Sequence, residues 1–209
     1  MNQDLNNTTY KELASQYDDE VKAYSSYGHD VIFGMSFEFV NSGEKLLDIG
    51  IGTGLASIHF SKVGLKIYGL DNSQEMLNAC RLKSFTEELR KSDLTLEPIP
   101  YSNHYFDHIV CCGVMHFFNE LNTLFAEVKR VMKSGGIFAF TIAPQETLSD
   151  YTEEPTAWGL SIFKHSLHYI MKLLKINEME LLKEQRLLLK GEDKVNFNML
   201  FSAIICRNL

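Results

Sequence analysis

The chain has 209 residues, of which 45% are hydrophobic and 22% are charged, and its formal net charge is −7. This length suits one α/β domain with a substantial core and leaves no room for a second catalytic domain. The acidic balance argues against a nucleic-acid partner, which needs a basic face. The first nine residues are polar, and no window approaches the roughly eighteen apolar residues of a membrane span. We therefore predict a cytoplasmic monomer or homodimer without a membrane anchor.

The N-terminal segment carries an aromatic stripe. Over residues 8–27, apolar side chains recur every three or four positions, which predicts a helix with one apolar face; they are Tyr10, Leu13, Tyr17, Val21 and Tyr24. Residues 29–40 predict a second amphipathic helix. We interpret residues 1–42 as a helical cap on a core of residues 43–209, the two together making a single domain over 1–209.

The stretch LLDIGIGTG, at positions 46–54, is the centre of the sequence argument. Two aliphatic residues lead into Asp48, and glycine then occupies every second position as Gly50, Gly52 and Gly54. This pattern is typical of a buried strand that ends in a turn approached closely by a ligand, because only glycine leaves the backbone bare. A helix predicted over residues 55–64 would aim free amides at that ligand.

The spacing of the glycines separates two classes of cofactor. A dinucleotide-binding turn reads GxGxxG, and its third glycine would fall at position 55, which is Leu55. The observed DxGxGxG pattern resembles motif I of class I S-adenosylmethionine (SAM)-dependent methyltransferases. The carboxylate of Asp48 suits SAM, because the methionine end of SAM carries an ammonium group that diphosphate lacks.

The resemblance extends to the N-terminal segment and to the next strand. The YxxxAxxYD pattern around Tyr17 resembles the segment that lies over SAM in small-molecule methyltransferases, and an aromatic ring near a sulfonium is favourable. Residues 66–70 predict a strand that ends at Asp71, where an acid can accept hydrogen bonds from both ribose hydroxyls of SAM or of NAD. Ser73 is a suitable N-cap for the following helix. The resemblance also implies that Asp93 and Leu94 contact the adenine ring.

A fourth strand is predicted around residues 106–110, with Asp107 in a structural role. Cys112 follows at its carboxyl end, where backbone faces the ligand crevice of an α/β sheet. The predicted cofactor-binding residues are Tyr17, Asp48, Gly50, Gly52, Gly54, Asp71, Asn72, Met76, Asp93, Leu94 and Cys112. His116 is a candidate general base, and Tyr17 is a second candidate for a catalytic role. For His116 the alternative is a buried histidine bonded to backbone, which is the commoner situation. Since no Cys or His complements Cys112 and His116 at a metal-ligand spacing, we predict no metal site.

The rest of the chain completes the sheet. Residues 120–132 predict an amphipathic helix and residues 137–142 a fifth strand, whereas residues 143–164 are irregular and are expected to shape acceptor choice. Ser166 can cap a further helix, and residues 180–189 and 195–206 predict an antiparallel hairpin. The fold class is α/β: a Rossmann-like, seven-stranded, mostly parallel sheet in the order 3-2-1-4-5-7-6, its last strand antiparallel, with helices on both faces.

The resemblance implies methyl transfer from SAM to a small-molecule acceptor by in-line displacement, with S-adenosylhomocysteine as the product. Positioning supplies most of the catalysis in such a reaction, and His116, His29 and the tyrosines are the available bases. The chain lacks the D/N-P-P-Y/F and Pro-Cys motifs of DNA-modifying methyltransferases at positions 112–115. Two alternatives stay open: a module that binds SAM without turnover, and a nicotinamide-dependent oxidoreductase, which Leu55 disfavours.

Overall fold

The structure is a computed structural model, and it describes residues 17–23, 26–156, 159, 161–190 and 198–209. The helices are α1 (Tyr17–Ala23), α2 (Gly28–Ser36), α3 (Ser57–Lys62), α4 (Gln74–Leu82), α5 (Asn122–Val131) and α6 (Leu167–Ile176), with 3-10 turns at Phe37–Phe39 and Met115–Phe117. The strands are β1 (Lys45–Ile49), β2 (Lys66–Asp71), β3 (Thr86–Lys91), β4 (His108–Cys111), β5 (Ile137–Ile142), β6 (Pro144–Gln145), β7 (Tyr151–Pro155), β8 (Ser161–Ser166), β9 (Met179–Lys190) and β10 (Asn198–Asn208).

Seven strands form the central sheet in the order β3-β2-β1-β4-β5-β10-β9. Strands β1 to β5 run parallel, whereas β10 is antiparallel to both of its neighbours, β5 and β9. Counted along the chain within this sheet, β9 is the sixth strand and β10 the seventh. The predicted order 3-2-1-4-5-7-6, with its antiparallel last strand and its C-terminal hairpin, is therefore confirmed.

The alternation of side chains along the strands builds one apolar core on each face of the sheet. In β5, Phe138 and Phe140 point to the face covered by α5 and α6, whereas Ile137 and Ala139 point to the face covered by α2, α3 and α4. Successive residues of a strand face opposite ways. Helices therefore lie on both faces, as predicted.

Capping residues fix where two of the helices begin. The Ser73 hydroxyl accepts from the amide of Met76 at 3.2 Å at the start of α4. The Ser166 hydroxyl likewise accepts from the amide of Tyr169 at 3.1 Å at the start of α6. Both N-caps are confirmed, and each satisfies an amide that the first helical turn would leave free.

Three elements differ from the sequence-based expectation. The predicted order includes a third strand at the edge of the sheet, but the sequence does not locate it, because TEELRK is polar; this strand is β3, which pairs with β2. Helix α3 begins at Ser57, since turns occupy the residues just before it. The region predicted to be irregular instead forms a second sheet in the order β6-β8-β7. Its short strands carry no strong apolar alternation.

The predicted cap helices are represented by α1 and α2, although Tyr10 and Tyr24 lie outside the described residues. Within the described part of the chain, none of the helices has the length and apolarity needed to cross a membrane. The division of the chain into a cap of residues 1–42 and a core of 43–209 stays a prediction.

Candidate active site

A cavity of about 110 Å³, partly open to solvent, lies at the carboxyl ends of β1, β4 and β5. The glycine turn after β1 forms one wall and α1 forms another, through Tyr17 and Val21. The C-terminal hairpin adds Leu187 and Phe201. This is the edge of an open α/β sheet at which ligands bind.

The three glycines of the motif differ in what a side chain would meet at each position. A Cβ at Gly50 would overlap the side chain of Val114, and one at Gly54 would lie 2.5 Å from Cζ of Phe85. A Cβ at Gly52 would meet no atom within 4 Å and would project into open space, and Gly52 lines the cavity. Gly50 and Gly54 therefore allow the turn to pack, whereas Gly52 keeps the cavity clear.

The amides of the turn are already used within the protein. The amides of Gly50 and Ile51 donate to the carbonyl of Leu70 at 2.8 and 2.9 Å, and that of Gly54 donates to Ile51 at 2.8 Å. The amide of Gly52 donates to Oδ2 of Asp71 at 2.8 Å. A diphosphate would therefore find none of these four amides available. The expectation that the following helix aims free amides at a ligand stays a prediction.

Asp48 is a buried polar residue in the cavity wall, with a side-chain oxygen that no other described residue pairs with. It is 1% exposed and lines the cavity, and among the described residues its Oδ2 has no hydrogen-bond partner. Burial raises its pKa to about 7, the charge of Asp71 adds to this, and the Ser57 hydroxyl opposes it. A buried carboxyl oxygen without a partner costs free energy unless a ligand supplies one. A ligand ammonium fits this position.

Asp71 ends β2 beside the turn but does not line the cavity. Its Oδ2 accepts from Gly52, and its Oδ1 accepts from the amide of Ser73 at 2.8 Å. Burial raises its pKa, while these backbone hydrogen bonds oppose the rise. The carboxylate therefore fixes the turn, and each oxygen keeps lone-pair capacity for a ligand.

Helix α1 is held over the turn by one acidic side chain. Asp18 accepts from the Thr53 hydroxyl at 2.5 Å through Oδ1 and pairs with Nζ of Lys83 at 2.5 Å through Oδ2. Burial alone would raise the pKa of Asp18, but the contacts with Lys83 and Thr53 hold it below its usual value. The sequence placed Asp18 in the YxxxAxxYD pattern without assigning it this role.

Comparison with known proteins agrees with this geometry. Residues 47–140 match a family described as "Methyltransferase domain". Over this stretch, which is less than half of the chain, the protein is similar to methyltransferases.

Two curated relatives and one solved structure illustrate the similarity. The uncharacterized methyltransferase YcgJ of Bacillus subtilis is 29% identical over 152 residues, covering 69% of this chain and 58% of that protein. The ubiquinone biosynthesis O-methyltransferase of Pelagibacter ubique is 27% identical over 164 residues, covering 75% of this chain and 66% of that protein. The chain thus spans less than two thirds of each. A structure described as SAM-dependent methyltransferases from Methanosarcina mazei shares the fold, with a TM-score of 0.69 at 15% identity, covering 84% of this chain and 97% of that one.

The structure brings part of the predicted site together. The cavity is lined by Tyr17, Asp48, Gly50, Gly52 and Cys112. The remaining predicted residues lie outside its lining: Gly54, Asp71, Asn72, Met76, Asp93 and Leu94. Of these, Met76 is a core residue, and Asp93 accepts from the amide and hydroxyl of Thr95 at 3.0 and 2.6 Å. Their predicted contacts with the cofactor stay predictions.

Cys112 and its neighbours form the cavity wall at the end of β4. Burial raises the pKa of the Cys112 thiol to about 12, and the charge of Asp48 acts in the same direction. The thiol is therefore protonated at neutral pH and is a poor nucleophile. The amide of Gly113 donates to Oγ1 of Thr141 at 2.7 Å, and Thr141 also lines the cavity. No motif in the sequence pointed to Thr141.

The two candidate histidines lie in different places. His116 is outside the cavity lining, with its ring centroid 5.8 Å from that of Phe201, which lines the cavity. Burial, followed by the charge of His165, lowers the pKa of His116 to about 4, so the ring is neutral at pH 7 but is a weak base. His29, by contrast, lines the cavity at the start of α2.

Proposed function

We propose that this protein transfers the methyl group of SAM to a small-molecule acceptor by in-line displacement. The observation that carries the proposal is the buried Oδ2 of Asp48, which has no partner among the described residues and borders a cavity that Gly52 keeps clear. A cationic amino group completes that oxygen, and the turn offers none of its four assigned amides to a diphosphate. Both features favour SAM over a nicotinamide dinucleotide.

In this proposal the cofactor lies along the carboxyl ends of β1 and β2. Asp48 accepts from the ammonium of the methionine end, and Gly52 allows that end to pass. The ribose hydroxyls use the remaining lone pairs of Asp71, and the adenine extends toward Asp93 and Leu94. Tyr17, on α1, covers the site from above. SAM supplies a methyl group that its sulfonium already activates.

The protein's part in the reaction is to place the acceptor. A lone pair of the acceptor attacks the methyl carbon as the carbon–sulfur bond breaks, S-adenosylhomocysteine leaves, and any acceptor proton passes to water or a base. Holding the two reactants in line supplies most of the barrier reduction. The walls formed by Val21, Leu187 and Phe201 suit an acceptor with an apolar body. The name of the ubiquinone-biosynthesis relative supports a small-molecule acceptor.

Two measurements test this proposal. Calorimetry should show saturable binding of S-adenosylhomocysteine, and NADH should bind more weakly; no binding at millimolar concentration would refute it. Incubation with methyl-labelled SAM and a panel of small phenols, amines, thiols and carboxylic acids should then yield a labelled product. Binding of S-adenosylhomocysteine with no labelled product from any class would favour a SAM-binding module without turnover.

The predicted role of His116 has its own test within the same assay. A His116→Gln enzyme that keeps the wild-type kcat would remove His116 from the reaction. A fall in kcat with unchanged affinity for S-adenosylhomocysteine would support the role of base.

A further inference from the structure

Two histidines and an aspartate meet at the rim of the cavity, on helices that are separated in sequence. His29 and Asp30 begin α2, and His59 lies in the middle of α3. One ligand atom from each residue lies within 4.8 Å of the other two. The proposed methyl transfer gives no role to Asp30 or His59, so the clustering of the three residues needs an explanation of its own.

The separations in this cluster are those of a coordination shell. Nε2 of His29 lies 3.4 Å from Oδ2 of Asp30, and Nε2 of His59 lies 3.3 Å from Oδ1 of Asp30. N–H···O hydrogen bonds are usually shorter, about 2.7–3.2 Å. Ligands about 2.1 Å from a tetrahedral zinc ion lie about 3.4 Å from one another. Each histidine thus lies at about that distance from one oxygen of Asp30, His29 from Oδ2 and His59 from Oδ1.

The surroundings hold the ligands in place and leave Asp30 without another counter-charge. The ring of His59 stacks on Phe33 with centroids 5.5 Å apart, and the rings of His29 and His59 are stacked at 6.0 Å. Among the described residues, Asp30 forms ion pairs only with these two histidines. The side chains of His29 and His59 are 19% and 27% exposed, so an ion can reach them from solvent.

We propose that His29, Asp30 and His59 bind a divalent transition metal of the zinc class, which clamps α2 to α3 at the cavity rim. Imidazole nitrogen and carboxylate oxygen suit Zn²⁺. Three protein ligands leave at least one position for water or for an oxygen of a bound molecule, as in open zinc sites. No sequence motif predicts this site, because its ligands come together only when α2 packs on α3. The site is tested without SAM, so the result does not depend on the proposed methyl transfer.

The test is a titration of tag-free, chelator-stripped full-length protein with Zn²⁺ alone, followed by calorimetry and by thermal unfolding. We expect one equivalent to bind and to raise Tm, since a ligand of the folded state stabilises it. His59→Gln and Asp30→Asn should each weaken binding by at least tenfold. His168→Gln, which alters an exposed histidine on α6, is the matched control and should bind as the wild type does.

Three results would overturn the proposal. They are the absence of saturable Zn²⁺ binding by the wild type, wild-type affinity in both His59→Gln and Asp30→Asn, and an equal loss in His168→Gln. Circular dichroism and the metal-free Tm of each variant show whether it folds. As a second readout, Co²⁺ should give a visible spectrum of low coordination number in the wild type and in His168→Gln, and this spectrum should be lost in His59→Gln.

Discussion

At the amino end of the central sheet, His108 has a partner for each ring nitrogen, whereas at the carboxyl end Asp48 leaves one carboxyl oxygen without a partner among the described residues. Nδ1 of His108 accepts from the amide of Ile137 at 3.2 Å, so its proton lies on Nε2, which donates to Glu44 at 2.8 Å. Asp107 beside it accepts from the amide of Lys45 at 2.8 Å, as expected for a structural role.

This difference separates the part of the molecule that holds the fold from the part that receives a ligand. A buried polar group with all its partners stabilises the folded state by roughly 0.5–3 kcal/mol, whereas one left without a partner costs about as much. A protein retains such a cost mainly where function requires it. The hydrogen bonds of His108 are therefore complete within the protein, whereas Oδ2 of Asp48 needs a ligand such as a cation to complete it.

The largest expected effect is at the turn. Gly52→Val should weaken S-adenosylhomocysteine binding by more than about a hundredfold, about 2.8 kcal/mol, because its methyl groups enter the space that the methionine chain needs. Gly135→Val is the matched control: Gly135 also has positive φ and open space around it, but it is exposed and lies at the other end of the sheet. Calorimetry on both variants decides. Unchanged affinity in Gly52→Val would show that the turn is not the site.

Asp71→Ala should weaken S-adenosylhomocysteine binding by about 1.5–3 kcal/mol, the scale of hydrogen bonds to a charged group. Asp71→Asn keeps an oxygen for the amide of Gly52 and removes the charge, so it separates the ribose contact from the support of the turn. A loss under about 0.3 kcal/mol in Asp71→Ala would place the ribose elsewhere.

The pH dependence of binding tests whether the carboxylate of Asp48 binds the ligand ammonium. The pKa of Asp48 is raised from 3.8 to about 7, and a ligand ammonium prefers the ionised form. Affinity should therefore rise about tenfold between pH 6 and pH 8 and level off above. Stability of the free protein should change in the opposite sense, falling as pH rises from about 4 to 7, because the folded state holds the proton more tightly. Asp48→Asn should flatten both profiles, and a wild-type slope in that variant would assign the titration to another group.

The smallest effect on binding is expected at the amino end. His108→Gln should lower the free energy of unfolding by about 1–3 kcal/mol, because it disrupts a buried pair of hydrogen bonds. Its affinity for S-adenosylhomocysteine should stay within about twofold of the wild type. Urea denaturation and calorimetry measure the two quantities. A variant of wild-type stability that binds poorly would contradict the division between the two ends.

The sequence predicted elements well where burial imposed a clear period. β5 spans Ile137–Ile142, as expected, because both of its faces are buried and all six of its residues are apolar or threonine. The residues of β3 were not predicted, because an edge strand needs no apolar alternation and this sequence is largely charged. The second sheet was not predicted either, because a strand such as β7 lacks a clear apolar alternation.

The site was predictable where one short segment carries it. Asp48 and Gly52 are two positions of one motif, so the sequence predicts both together. Thr141, Leu187 and Phe201 reach the cavity only because β5 and the antiparallel hairpin end beside the glycine turn. No local sequence pattern predicts that these residues lie together. The proximity of His59 and Asp30 likewise has no local sequence pattern.

The walls of the cavity also divide along the chain. The turn, Asp48 and Cys112 fall within residues 47–140, the stretch shared with the methyltransferase domain family, whereas Val21, Leu187 and Phe201 fall outside it. Exchanging those outer segments between homologous chains would change one wall of the cavity and would leave the wall formed by residues 47–140 unchanged. Such an exchange would change which acceptor fits the cavity and would leave the glycine motif unchanged.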